Sequence, residues 1–401
     1  MKRIVIIDHF SKAPDEPGNN RFIYLGELLC NYGFDVEIIT TSFAHLKKRH
    51  REVNEKLCNS LPYKYTMLPE PGYPRNVCLK RFYSHYVFGK RLSKYLVKMK
   101  KPDVIIAAVP SLDVGTVVGN YCSKYKIPFI IDIQDLWPEA FKLVLKIPVV
   151  SEIVFWPMTL QANRFYGQAD CIVAVSETYM QRGLENNKNQ KGLCVYLGTD
   201  LGKFDENCKN IFIEKQNGEI WITYAGTLGH SYNIEIIFDA LNRLPDRVGL
   251  NVVFHIFGDG PYLKRFQEYA KKCKIQSVFH GRVAYPVMAA NLCKSDIVVN
   301  PIVKGAAQSI INKHADYAAA GLPVVNTQEC REYRSLLEVY GCGVNCEVES
   351  VEQVAEALQE LIENPEKRKK MGTNSRRMAE ERFDRRNTYQ QIVKVIEELA
   401  R

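Results

Sequence analysis

The sequence predicts an α/β protein of two doubly wound, parallel-sheet domains that face one another across a cleft. Three observations carry that expectation. The 401 residues exceed what one ordinary core organises and suit two domains of nearly 200 residues each. Short apolar runs alternate with longer segments of helical period, the pattern of buried strands joined by crossover helices. The alternation restarts once, after a polar, turn-rich stretch at 198–217.

In the first half, strands are expected at Arg3–Asp8, Val36–Thr40, Val104–Val109, Phe129–Ile133 and Cys171–Ser176. Helices are expected between them at Arg21–Tyr32, Lys80–Lys100, Val114–Tyr125 and Val149–Gly167. The second half offers strands at Ile220–Ala225, Val252–Phe257, Ser277–His280, Ile297–Pro301 and Pro323–Asn326. Its helices are expected at Ile234–Leu244, Tyr262–Lys272, Pro286–Cys293, Ile310–Ala320 and Val351–Glu363. The domains are drawn at 1–203 and 204–383, followed by one more amphipathic helix at 384–401. Its Tyr389, Ile392, Val395, Ile396 and Leu399 form a stripe that has to be buried. Sheets of this kind bind ligands beyond the carboxyl ends of their strands.

Composition narrows the function classes. The opening MKRIVIIDHF is too short and too soon charged for a signal peptide, and no window of about 18 uncharged apolar residues offers a membrane span. The twelve cysteines contain no CxxC pair and read as free thiols, with Cys342 and Cys346 the nearest approach to a metal spacing. A reducing cytoplasm fits them.

The net charge of +9 is uneven: residues 1–200 carry +8 and the remainder +1. Nine basic residues and no acidic one lie between Glu70 and Asp103. Lys80, Arg81, Lys90, Arg91 and Lys94 are interleaved with aromatic and aliphatic residues at helical spacing. A basic amphipathic helix of that kind suits an anionic membrane surface or a phosphorylated lipid acceptor, and equally a core-facing helix with a solvated basic face. Nucleic acid is not expected, because no recognised motif accompanies the charge.

Four segments carry candidate chemistry. In YAGTLGHSYNIEIIFDAL (224–241) a strand meets Gly226 and Gly229 before a helix, a turn that lets backbone N–H groups approach an anion. In FGDGPYLKRF (257–266), Gly258 and Gly260 follow a strand, but leucine at 263 breaks the dinucleotide fingerprint and disfavours a nicotinamide enzyme. In KGAAQSIINKHADYAAAGLPVVNT (304–327), a loop enters a small-residue helix that ends at Gly321, with Lys304 and Lys313 placed to meet phosphate. In FIIDIQDLWPEAF (129–141), carboxylates mass at a strand's carboxyl end, where an acid or base would sit; helix capping by Asp135 is the plainer reading.

DLWPE (135–139), YAGTLG (224–229), FGDGP (257–261), FHGRV (279–283) and NKHADYAAAGLPVV (312–325) together resemble the retaining glycosyltransferases of family 4. More narrowly, the sequence is similar to the bacterial branch that builds capsular, O-antigen and exopolysaccharide repeat units, including amino-sugar transferases. The resemblance runs in order along the whole chain. It implies a GT-B fold of two Rossmann-like domains, a metal-independent reaction, and no cofactor beyond a nucleotide-diphosphate sugar as substrate. The donor would be held by the C-terminal domain, the acceptor by the N-terminal one, and the last helix would pack back on the N-terminal domain. The absence of any Asp-x-Asp agrees with a site that holds no metal.

Carried over residue by residue, the resemblance places the usual Glu-x7-Glu pair on Gln308 and Asp316, so the first position loses its charge and the second keeps a ribose-binding carboxylate. The basic pair that often meets the diphosphate falls on the neutral Thr227 and Asn233, leaving Lys313 as the expected cation. It would be aided by backbone N–H groups of 226–229 and 305–308. Gly258, Ser309 and the backbone of Arg282 and Val283 complete the expected donor site, with Gly18 and Asn19 in the loop after the first strand. Asp135, with Glu139 as second choice, is the expected base toward the acceptor. The leaving phosphate is the alternative proton acceptor, with hydrogen bonds to it supplying most of the rate enhancement. His85 is read as solvated.

The resulting expectation is a hexosyltransferase that carries a sugar, such as an N-acetylated amino sugar, from a UDP donor to a polyprenyl-diphosphate-linked saccharide. It would act in the cytoplasm, with peripheral contact to the inner membrane face through the basic helix. A sugar-nucleotide epimerase of the same fold and a non-catalytic partner subunit are the rival readings.

Overall fold

The computed structural model describes residues 1–401 apart from 17–19, 53, 77, 143–147, 246–247, 249–250 and 307–308. Its chain divides into two units, 1–195 with 389–401, and 196–388.

The first unit is built on a parallel sheet of seven strands. They are β1 (Arg3–Ile7), β2 (Asp35–Thr41), β3 (Lys64–Leu68), β4 (Val104–Val109), β5 (Phe129–Ile133), β6 (Cys171–Ala174) and β7 (Gly192–Cys194). Their order is β3-β2-β1-β4-β5-β6-β7, so the direction of winding reverses between β1 and β4. Successive strand residues point to opposite faces, and both faces are apolar. Val5, Ile7, Ile105, Ala107, Phe129 and Ile131 share one core with Phe88, Leu92, Val118 and Phe165 of the covering helices. Ile4, Ile6, Val104, Ile106 and Ile130 share the other with Phe22 and Leu25.

The helix Gln390–Leu399 covers that second face: Tyr389, Ile392, Val393, Val395 and Ile396 are buried among β1, β4 and β5 residues. Arg21, at the start of helix Arg21–Asn31, is buried as well. Its Nε donates to Asp132 at 2.7 Å, and Nη1 donates to the Val195 carbonyl and to the Tyr389 hydroxyl. Asp132, part of the carboxylate cluster expected to serve chemistry, is thus neutralised inside the fold.

The second unit repeats the plan with six strands: β8 (Ile220–Ala225), β9 (Val252–Phe257), β10 (Gln276–Gly281), β11 (Ile297–Asn300), β12 (Val324–Asn326) and β13 (Gly343–Asn345). The order is β10-β9-β8-β11-β12-β13, all parallel, with the reversal between β8 and β11.

Two expectations need correction. The stretch 198–217 is not a linker: Leu201–Asn210 is a helix whose Leu201 and Phe204 are buried, and Asp200 caps it by accepting from Lys203 N–H. The join lies at 195/196 instead. The cysteines are not all free, because Cys208 on that helix is disulfide-bonded to Cys293, with Cα atoms 6.1 Å apart. A separation of 85 residues leaves no spacing motif to read. Cys342 and Cys346 are buried free thiols.

Candidate functional site

In the second unit the chain leaves β8 through Gly226. The N–H of Gly226 donates to the Phe257 carbonyl at 2.9 Å, that of Leu228 to Asp259 at 3.0 Å, and that of Tyr262 to Leu228 at 3.0 Å. The loops after β8 and β9 are therefore stitched backbone to backbone. Glycine at 258 (φ +132°) makes this possible, since a Cβ there would lie 1.8 Å from the Gly226 carbonyl oxygen. Of the amides expected to form the cradle, those of Gly226 and Leu228 are occupied within the fold. Gly305 N–H likewise donates to the Glu329 carboxylate at 2.8 Å, and Ala306 N–H to the Val303 carbonyl at 3.1 Å. Gln308, like Gly18 and Asn19, lies outside the described residues.

Lys313 opens the helix Asn312–Ala319. Its side chain is buried, and Nζ stands 4.1 Å from the ring centroids of both Tyr224 and Tyr232. It has no hydrogen-bond partner among the described residues. A Cβ added to Gly226 would lie 2.9 Å from Nζ, so lysine and glycine abut. Burial pushes the Lys313 pKa well below 10.5. An ammonium held there without a counter-charge is costly, and an anion entering beside Gly226 would supply one.

Asp316, one turn further along the helix, accepts from the Tyr285 hydroxyl at 2.7 Å, which itself lies 3.0 Å from Thr199 Oγ1. Burial pushes its pKa up to about 6, against the opposing pull of Tyr285 and Arg385. Thr227 and Arg282 are exposed, Gly229 is buried, and Val283 is half-buried.

The carboxyl ends of β11, β12 and β13 bring together residues that sequence reasoning missed. Asn300, Asn326 and Asn345 are register partners on adjacent strands. Asn300 Nδ2 donates to Asn326 Oδ1 (2.9 Å) and Asn326 Nδ2 to Asn345 Oδ1 (2.9 Å). Gln328 Nε2 reaches the carbonyl of buried Ser309 at 2.9 Å, tying the loop before Lys313 to this ladder. Only the recurrence of Asn at three strand ends could have signalled it.

In the first unit the strand ends gather another set. Buried His9, just after β1, has Nδ1 2.9 Å from Ser111 Oγ and Nε2 3.2 Å from both Glu70 carboxylate oxygens. Thr41 and Ser84 also donate to Glu70. Burial raises the Glu70 pKa, but the bonds from His9, Ser84 and Thr41 outweigh it and hold it below the usual value. Separations of 61 and 102 residues hid this network from the sequence.

Two expectations about the basic helix, Leu79–Lys98, are corrected here. His85 is not solvated: it is buried, stacks 5.8 Å from Trp137, and burial drives its pKa far down. Arg81 is not on the surface either. It is buried with its guanidinium carbon 4.6 Å from the Trp137 ring and 5.6 Å from those of Phe10 and Tyr73. Lys80, Lys90, Arg91 and Lys94 are exposed.

Asp135 is half-buried, and burial raises its pKa despite its bonds to the Leu136 amide, Trp137 and Tyr179 and the charge of Arg81. Glu139 instead accepts from Arg182 Nε at 2.6 Å, a structural pairing. Asp135 has a raised pKa and no ion pair among the described residues.

Residues 209–378, within the second unit, match the family model described as "Glycosyl transferases group 1". Two uncharacterized glycosyltransferases of Methanocaldococcus jannaschii are similar in sequence. One is 25% identical over 59% of this chain and 60% of its own length, the other 21% identical over 80% and 83%. The first match therefore spans three-fifths of that relative. Among solved structures, HepE of Anabaena in complex with UDP-glucose superposes with a TM-score of 0.67 at 16% identity, covering 99% of this chain and 100% of its own. Sucrose-phosphate synthase of Thermosynechococcus elongatus gives 0.72 at 14% over 100% and 99%. WaaG, a glycosyltransferase involved in lipopolysaccharide biosynthesis, gives 0.65 at 13% over 99% of each chain. The fold is that of the GT-B glycosyltransferases.

Proposed function

We propose that the protein is a retaining, metal-independent glycosyltransferase that moves a hexosyl group, such as an N-acetylated amino sugar, from a UDP-sugar to a lipid-linked saccharide in surface polysaccharide synthesis. The observation that supports it most is Lys313, a buried lysine with no hydrogen-bond partner among the described residues, set against the glycine turn of the segment that matches the glycosyltransferase group 1 model. A nucleotide diphosphate is an anion of the right class for that position. Bound UDP-glucose in HepE favours a UDP-sugar, and the role of WaaG in lipopolysaccharide biosynthesis favours a glycolipid acceptor.

In this reading the bond between the sugar's anomeric carbon and the diphosphate oxygen breaks, and the acceptor oxygen bonds to that carbon from the same side. Negative charge grows on the leaving UDP. Lys313 would meet it, and an interaction that strengthens as the bond breaks is what lowers a barrier. Asp316 would accept hydrogen bonds from the ribose. The acceptor's proton passes to the departing phosphate or to Asp135, whose raised pKa suits a base.

A panel of UDP-, GDP- and TDP-sugars tested for thermal stabilisation decides the matter. One UDP-sugar should raise Tm by linkage, a Lys313→Met variant should lose the effect, and the anomeric configuration of the product should match that of the donor. No stabilisation by any of them would sink the reading. Retained activity in chelator with inversion at the anomeric carbon would overturn the retaining assignment alone.

A further inference from the structure

The first unit carries an apolar surface that the chemistry above does not use. Helix Pro148–Tyr166 exposes Ile153 (71%), Val154 (55%), Trp156 (61%) and Leu160 (47%). Ile153, Trp156, Pro157 and Leu160 fall three, four and seven residues apart, one stripe of a helix, and exposed Arg164 continues it by one turn. Large apolar side chains exposed together mark an interaction surface, whereas scattered ones need no explanation.

The neighbourhood says what covers it. Phe141 touches both Phe155 of this helix, with centroids 5.9 Å apart, and Phe82 of the basic helix at 5.8 Å, and so bridges the two helices, which both pack on helix Leu112–Tyr125. The basic helix exposes Leu79, Phe82, Tyr83 and Tyr86 together with Lys80, Lys90, Arg91 and Lys94, and it contains no acidic residue. Apolar insertion beside a cationic face, with tyrosines and tryptophan at their boundary, is the chemistry of an anionic bilayer surface. No helix among the described residues is long and apolar enough to cross a membrane.

We infer that helix Pro148–Tyr166 is a monotopic membrane anchor: Ile153, Val154, Trp156 and Leu160 enter the acyl boundary while the basic helix beside it engages anionic headgroups. The inference deepens the reading above and rests on it for its purpose, since a lipid-linked acceptor is presented at a bilayer. Its test needs no sugar nucleotide, so the two fail separately.

The test is flotation of the full chain with phosphatidylglycerol–phosphatidylcholine vesicles and with phosphatidylcholine alone, together with quenching by brominated lipid. The chain holds three tryptophans, and Trp137 and Trp221 are buried, so lipid-dependent quenching reads Trp156 in the unmodified protein. The protein should float with anionic vesicles and its emission should be quenched. Ile153→Glu with Trp156→Glu should lower vesicle affinity at least about tenfold while keeping any stabilisation by UDP, which also shows that the variant folds. Replacing Lys90, Arg91 and Lys94 together by glutamine should weaken binding on the order of a hundredfold, and less so at high salt. Wild-type protein that stays unbound to both vesicles, or binds without quenching, overturns the inference. So does a dimer in solution that Ile153→Glu with Trp156→Glu dissociates, which would make the stripe an interface between two copies.

Discussion

Replacing Lys313 by methionine should make the ligand-free protein more stable and the donor complex weaker. The side chain keeps its length and apolar contacts but loses an ionisable group that sits in the interior with no hydrogen-bond partner among the described residues. The two tyrosine faces at 4.1 Å return about 2 kcal/mol each, against the several kcal/mol needed to desolvate an ammonium. Exchanging a buried charge for an apolar group of similar volume is then worth about 2 kcal/mol, a Tm rise of roughly 4–8 °C for a unit of this size. A charge-assisted contact to the diphosphate is worth about 1.5–3 kcal/mol, so UDP affinity should fall roughly 10- to 150-fold.

The pH dependence has a definite sign. Burial holds the free-state pKa below 10.5 and a bound phosphate raises it, so binding takes up a proton. Wild-type UDP affinity should therefore weaken as pH rises through the window between those two values, and the methionine variant should lack that slope. In the absence of ligand the unfolded lysine binds its proton more tightly, so wild-type stability should climb with pH up to 10.5. Differential scanning fluorimetry and titration calorimetry with UDP measure both effects. A methionine variant that is less stable than wild type and binds UDP equally well would refute the reasoning.

Gly258→Ala should destabilise by about 3 kcal/mol or more in urea unfolding, because its Cβ meets a carbonyl oxygen at 1.8 Å, whereas Gly281→Ala, with nothing within 4 Å, should cost only about 1 kcal/mol for its positive φ. Asp316 binds a proton with a pKa of about 6 in the fold and 3.8 outside it, so its contribution to stability is full below 3.8 and lost as pH rises through 6. Donor affinity should run the other way, dropping as pH falls below about 6, and Asp316→Asn should flatten that profile in calorimetry. Arg21→Met leaves Asp132 buried and unpaired and should cost about 3–5 kcal/mol by chemical unfolding. Glu139→Gln breaks a part-exposed pair and should cost under about 1 kcal/mol, with transfer rates slowed less than by Asp135→Asn.

Apart from the edge strand Gln276–Gly281, the strands that sequence reasoning found are those buried on both faces, which read as unbroken apolar runs. Lys64–Leu68, Gly192–Cys194 and Gly343–Asn345 went unseen: each lies at a sheet edge and is three to five residues long, so pairing rather than pattern makes it a strand. The helix Pro365–Met378 was missed because its sequence is dominated by charge. At the site, the position of Lys313 was legible from its neighbours along the chain. Its burial was not, because Tyr224 and Tyr232 come from 80 residues away and more. Helical spacing marked Arg81 as one basic residue among many; that it alone turns inward depends on Phe10, Tyr73 and Trp137. The glycine turn at 226 reads from sequence as an anion cradle, but pairing with Phe257 and Asp259, more than 30 residues on, takes the N–H groups of Gly226 and Leu228.

The helix Gln390–Leu399 imposes an order on synthesis. Residues 1–195 leave the ribosome well before 389–401, yet one face of their sheet is closed by Tyr389, Ile392, Val393 and Ile396. While the intervening 193 residues are translated, that face has only helix Arg21–Asn31 and its neighbours to shelter it. The nascent first unit therefore carries an incompletely covered apolar face until the last helix is made, and a fragment ending at 195 should be recovered insoluble unless the peptide 389–401 is supplied in trans.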